Sequence, residues 1–384
     1  MVAGLGALIR ANGLATPGMS PKGTKEYQDF RIYPLKKEEF AKIEAWLADW
    51  AIELENLRQV LRRKRVQYDY SLAAAPDHGL PEPHKLEVFV LRLKEVAGLA
   101  SATGHPNEAT DAILEILRLA EVLADHPGWN GQFLRMRFIR IALESLEGML
   151  SAGPIETARL RQLRAGLIPS MNDRFLEQYL TWEQFQLADL ASTTAGYRKS
   201  LDRMVRGGPA WIPPTLELYF QFAQFTGADY VEGLRSLRHQ ETLLGIWRLP
   251  LVERANPLMA LENAGQGSRR RSDFMGFPTF RGDMSTPLMR MELECVSMIH
   301  AACAALSIEE YRAKNHRMPQ NLGGLDLVRD SNFKINPFNG KPLHLILRAT
   351  GYSVTGEWSS RASRAGFKCL EESAAYEYRF SVNR

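Results

Sequence analysis

Ser285-Thr286-Pro287-Leu288, then Met291, Cys295, Met298, Ala302, Ala305 and Leu306, then Asn336-Pro337-Phe338-Asn339-Gly340-Lys341-Pro342-Leu343-His344-Leu345-Ile346-Leu347-Arg348: this is the stretch whose reading decides the fold. Ser285 and Thr286 are N-cap types, and Pro287 suits a first helical position because its missing N–H has no partner there. The apolar residues that follow keep to helical spacing and predict one buried face. Lys314, His316 and Arg317 crowd the expected last turn, where cations meet the negative end of the helix dipole. Asn315 is expected to take the left-handed stop conformation, and Pro319 bars continuation. Such a helix spans roughly 40 Å at 1.5 Å per residue.

Beyond it the residue types change. Asn336-Pro337 and Asn339-Gly340 are turn chemistry. His344 to Arg348 reads as a strand, Ala349-Thr350-Gly351 as a turn, and Tyr352-Ser353-Val354 as the returning strand. Tyr376 to Val382 alternates in the manner of an edge strand added to the same small sheet.

Working outward, residues 1–37 carry Gly, Pro, Ser and Lys without periodicity and read as a flexible lead-in. Glu38 to Arg65 reads as a helix with Phe40, Ile43, Trp46, Leu47, Trp50, Leu54, Leu57 and Leu61 on one face. Helices are expected over Lys85–Ala102, Glu108–Ala124, Asn130–Ala152 and Ile155–Leu167. Their separators (Gly104 to Asn107, His126 to Gly128, Gly153-Pro154) are short enough to pack neighbours antiparallel. Further helices are expected over Asn172–Met204 and Thr215–Trp247. Pro250 to Met284 reads as an irregular connection centred on Gly265-Gln266-Gly267-Ser268-Arg269-Arg270-Arg271-Ser272. The expected organisation is therefore a lead-in (1–37), a helical array (38–249), a linker (250–284) and a helix-plus-sheet module (285–384).

The fold class expected is mostly α, an irregular helical array followed by a small α+β module. Gly104 to Pro127 resembles one hairpin of a tetratricopeptide-type solenoid, but no clean repeat of about 34 residues runs through the chain. Ala305-Leu306 to Glu309, Tyr311-Arg312, Met318-Pro319, the Asn336 to Leu343 elbow and Gly351-Tyr352-Ser353-Val354 together resemble a pattern in an uncharacterised family of bacterial cell-envelope proteins. The layout is similar to the C-terminal half of type II secretion major pseudopilins. The resemblance spans Glu44 to Val354 and implies architecture and an envelope or periplasmic location, with no activity attached. The chain departs from the pattern in three ways. Asn336 replaces the elbow aspartate, Gly323-Gly324 interrupt the short helix after Pro319, and no acidic calcium loop surrounds Thr355 to Trp358. The apolar start Met1 to Ile9 is short and lacks a basic flank, so it does not read as a signal peptide. Nothing in the sequence approaches the run of about 18 apolar residues that a membrane span requires.

With 384 residues, 45% hydrophobic, 24% charged and a net charge of +4, the chain has the composition of a globular protein with a sizeable core, and the mild charge demands no acidic partner. Three cysteines make no disulfide framework, and Cys295 and Cys303 read as small buried hydrophobes. The eight histidines are scattered, and His239 and His300 read as solvated or satisfied side chains on helices. Asp77, His78 and His84 share one loop and are the candidate metal ligands, at a spacing that matches no strong site. No metalloprotease helix, phosphate loop, nucleophile elbow or dinucleotide fingerprint occurs. Glu309-Glu310 and Glu371-Glu372 read as solvated faces. Arg269, Arg270 and Arg271 form the most concentrated charge run, a possible contact for an anionic surface or acidic protein. Trp211 heads an aromatic stretch with Tyr219, Phe222 and Phe225 at helical spacing, either core or partner groove.

The function these features favour is a non-enzymatic, envelope-associated scaffold or subunit that binds another protein through its helical array, with no cofactor. The alternatives are a metal-dependent hydrolase-type helical enzyme built on Asp77, His78 and His84, and, behind it, a nucleic-acid binder acting through Arg269 to Arg271.

Overall fold

The computed structural model describes residues 37–62, 83–124, 126, 129–171, 228–272, 282–323, 325, 331–357 and 377–383, with a few positions between 176 and 184. The described chain is mostly helical and closes with a small antiparallel sheet. It divides into two compact units, one running up to residue 172 and resuming at Met291, the other covering 173–290. The sheet module thus belongs with the first helices.

In the first unit, α1 (Lys37–Ala48) and α2 (Ala51–Leu61) replace the single helix expected from Glu38. Trp50 leaves helical geometry (φ −106°, ψ 3°), and its ring meets Phe89 edge-on at 5.9 Å. Burying that indole against a neighbouring helix outweighs the continuity that periodicity favours. α3 (Pro83–Ala102), α4 (Pro106–Val122), α5 (Trp129–Ala152) and α6 (Thr157–Leu167) lie within about two residues of their expected bounds. The α3–α4 turn shows why. Gly104 takes φ +80°, the His105 N–H reaches back to the Ala100 carbonyl at 2.7 Å, and Pro106 opens the next helix. α3 packs on α4, α4 on α5, α5 back on α3, and α6 on α4.

The second unit holds α7 (Ala228–Trp247) and α8 (Leu251–Ser272), which pack together. α8 occupies the stretch expected to be irregular. Pro250 ahead of the first turn and Glu253 within it are helix-start signals. Gly265 and Gly267 cost about 1 kcal/mol each relative to Ala but do not end the helix. Arg254 lies 4.1 Å over the Trp247 ring and donates to the Leu249 carbonyl at 2.8 Å, which ties the two helices at their joint.

α9 (Gly282–Asn315) is the long helix, 34 residues, and it starts five residues before Pro287. Its stop also differs by one residue. Asn315 remains helical and donates to the Tyr311 carbonyl at 2.9 Å, while His316 takes the left-handed φ of 55°. By length and composition the segment from Leu288 could cross a membrane, yet 83% of its most apolar window is buried inside the protein. It is the central core helix. Ala301, Ala302, Ala304 and Ala305 are fully buried, and such small side chains let neighbouring elements approach closely.

Around α9 sits one continuous core joining Leu57, Phe89, Leu93, Ile113, Ile116, Phe138 and Leu146 from the helices with Ile299, Leu306, Leu343, Tyr352, Val354, Phe380 and Val382. The sheet has the order β1 (His344–Arg348), β2 (Gly351–Glu357), β3 (Glu377–Asn383). Both pairings are antiparallel, with Leu345 opposite Val354, and Val354 opposite Phe380. Alternate residues Tyr352 and Val354, Phe380 and Val382 face the core.

The elbow holds the module to α9. Asn336 Oδ1 accepts the Phe338 N–H, the Asn336 carbonyl accepts the Gly340 N–H, and Lys334 and Leu343 close the loop at 2.7 Å. His300 Nδ1 lies 2.9 Å from the Ile335 carbonyl, with its ring edge-on to Phe333. His300 is therefore a satisfied core histidine.

Candidate interaction surface

The sequence candidates do not converge. Asp77, His78 and Trp211 lie outside the described residues, as does the aromatic stretch after Trp211. His84 stands in the first turn of α3 and Arg269, Arg270 and Arg271 in α8, with side chains outside those described. Among the described residues no three His, Cys, Asp or Glu side chains group as metal ligands. Cys295 and Cys303 are buried free thiols, each pushed up to about 12 by burial, and Cys369 lies outside the described residues. A thiol so held is inert. A niche lined by Leu143, Glu147, Met298, Arg379 and Phe380 has about 10 Å³ of space, room for one water.

Glu309 and Glu310 are not the solvated pair expected. Neighbours on a helix point about 100° apart, so the two carboxylates enter different environments. Glu310 meets Arg164 of α6 at 3.2 Å, and Arg164 also donates to the Ser307 hydroxyl at 3.2 Å. Glu309 is buried, with Arg312 at 3.4 Å and the Tyr352 hydroxyl against it. The same hydroxyl donates to the Ala305 carbonyl at 3.2 Å. Burial raises the Glu309 pKa against the attraction of Arg312, and burial with the adjacent carboxylate holds the Tyr352 phenol well above its usual range. These groups face one another across packed elements and lock β2 onto α9. The arrangement is a fastening.

His126 is likewise fixed in place. Gln132 donates to the Ala124 and His126 carbonyls at 3.0 and 2.7 Å, which closes the turn ahead of α5. Gly131 leaves the room the His126 ring occupies, since a Cβ there would collide with it.

The side chains with the chemistry of a binding face lie on α1, α2 and α3. Arg92 stacks on the Trp46 ring and stands 5.0 Å from that of Trp50. Both indoles are half-buried, Leu47 and Trp50 pack against the core, and Ile52 on α2 is 75% exposed. Arg92 also bonds Glu95 at 3.3 Å, one helical turn on. Burial pushes the Glu95 carboxyl up to about 8, outweighing the attraction of Arg92 and Lys94. The Arg92–Glu95 pair is itself largely buried, its side chains 12% and 14% exposed. Trp and Arg are the residue types over-represented where partners bind, because each offers a large flat contact with a polar handle. Trp46 and Trp50 are legible in the sequence as an apolar face. Arg92 is not, although the charged i, i+3 pair Arg92–Glu95 within the Leu-rich and Val-rich Leu86 to Leu99 stretch is a signal that could have marked it.

Compared with known protein families, curated proteins and solved structures, the chain finds no match.

Proposed function

We propose that the chain is a non-enzymatic scaffold or subunit that binds another protein through its helical array, at the cell envelope. The observation that carries this reading is the stacking of Arg92 with the half-buried Trp46 and Trp50 at the α1–α3 contact, together with the 75% exposed Ile52 on α2. Two finer readings support the same role. In α3 to α6, α4 touches α3 and α5, α3 touches α5, and α6 packs on α4, which supports a hairpin-like stacking of helices. The long helix, proline elbow and small antiparallel sheet resemble the layout of a pseudopilin C-terminal half, and that resemblance is what supports the envelope location.

The experiment compares the intact protein with Trp46→Ala and Ile52→Glu variants, each purified from membrane and soluble fractions and weighed for bound protein and metal. A stoichiometric protein partner with the wild type, lost or reduced at least tenfold with both variants, is the result expected. A stoichiometric metal with no bound protein would overturn the reading in favour of the metal-dependent enzyme. A partner retained undiminished by both variants would remove the helical face from it.

A further inference from the structure

The two edges of the sheet are treated differently. In β3, Ser381 and Asn383 turn their N–H groups away from β2, and both are taken up by α5: Ser381 donates to Glu147 Oε1, and Asn383 donates to Ser151 Oγ at 3.0 Å. That edge is closed by side chains. For β1 the register gives the outward groups. The two-residue turn Ala349-Thr350 makes Arg348 and Gly351 a hydrogen-bonded pair, so Ile346 and His344 also bond β2, while Leu345 and Leu347 direct N–H and C=O away from it. The same alternation carried across the sheet predicts outward N–H groups at Ser381 and Asn383, as found. Among the described residues no strand pairs with this outer edge of β1.

An open edge is a template for another strand, and proteins usually blunt theirs. This one instead exposes two apolar side chains on opposite faces, Ile346 at 41% and Leu347 at 49%. Its charge has one sign. From Ser331 to Arg348 the chain carries Lys334, Lys341, His344 and Arg348 and no carboxylate, and the last three are exposed. Pairing with a second copy centred on Ile346 would set His344 opposite Arg348 of that copy and give Arg348 no carboxylate to meet. A strand carrying carboxylates supplies one.

We infer that the outer edge of β1 is a docking site for an extended acidic segment of another protein, added as a fourth strand with its carboxylates against Lys341, His344 and Arg348 and its apolar side chains over Ile346 and Leu347. This surface is separate from the helical face, and the variants that test it leave Trp46 and Ile52 untouched.

The test uses the full chain and three fluorescein-labelled ten-residue peptides in which Val alternates with Asp, Asn or Lys, read by fluorescence anisotropy. The Asp peptide is expected to bind at least tenfold more tightly than the Asn and Lys peptides, and to weaken as salt rises from 50 to 500 mM. Leu347→Pro removes an outward donor without touching a bond to β2, and is expected to weaken Asp-peptide binding at least tenfold. The double variant Lys341→Glu with Arg348→Glu keeps the backbone edge and is expected to turn the preference towards the Lys peptide, which maintains the test should the proline variant not fold. Equal affinities for the three peptides, absence of binding, or an acidic preference surviving both variants would each overturn the inference. So would a dimer in sedimentation that Leu347→Pro dissolves, which would assign the edge to a second copy.

Discussion

Gly351 and Gly104 make a controlled comparison of how the sheet is held. Both have positive φ, +147° and +80°, angles that L side chains rarely adopt. Around Gly104 nothing lies within 4 Å of an added Cβ, so Gly104→Ala meets backbone strain alone, about 1 kcal/mol. At Gly351 the new Cβ would collide with the Val382 carbonyl oxygen, with further β3 backbone behind it. A backbone atom cannot rotate aside, so β2 and β3 must part where Gly351 faces Asn383 and Tyr352 faces Val382. Parting them exposes Val382, now fully buried, for about 1.5 kcal/mol or more, and loosens one or two ladder bonds at about 1 kcal/mol each. With the strain added, Gly351→Ala is expected to cost about 4 kcal/mol, about 3 beyond Gly104→Ala. Urea unfolding followed by tryptophan fluorescence gives both values. Amide exchange supplies a local reading, since the Ser381 and Asn383 amides bonded to Glu147 and Ser151 should exchange faster in Gly351→Ala only. Equal costs within 0.5 kcal/mol (about the scatter of such measurements), or unchanged β3 exchange, would refute the argument.

Glu95 and Asn336 give two further tests. Because the folded protein raises the Glu95 carboxyl to about 8 from an ordinary 4.5, it holds that proton more tightly than the unfolded chain. The resulting stability is complete below about 4.5 and is lost as pH rises through 8. Glu95→Gln should therefore come close to the wild type near pH 5 and exceed it at pH 8 by about 4 kcal/mol, on a scale of about 1.4 kcal/mol per pH unit; a Gln variant less stable at pH 8 would mean that the Arg92 ion pair dominates. At the elbow, Asn336→Ala leaves the buried Phe338 N–H without its 2.9 Å acceptor and should cost about 1–2 kcal/mol, whereas Asn336→Asp keeps the acceptor and should stay within about 1 kcal/mol. An alanine variant melting with the wild type would show that the turn does not depend on that bond.

Local physics is what the sequence by itself determined. Helical spacing located α3 to α6, and Gly104 with Pro106 placed the break between the first two, because propensity and capping act within a few residues. Alternation and turn residues likewise located β1, β2 and β3, whose register then follows from the short hairpin. Where local signals were outweighed, the reading departed from the structure. Trp50 splits the first helix to reach Phe89, α8 runs through Gly265 and Gly267, and the left-handed stop falls on His316. Only tertiary structure decided the rest. Ser381 meets Glu147 from 234 residues away, Asn383 meets Ser151 from 232, and Tyr352 reaches Ala305 from 47. Trp46, Trp50 and Arg92 come together only when α1 and the joint that follows it settle on α3. Glu309 and Glu310, adjacent in sequence, become a buried acid beside a phenol and a partner of Arg164. No periodicity encodes such meetings, because they depend on which surfaces the closed chain brings together and on the burial that results.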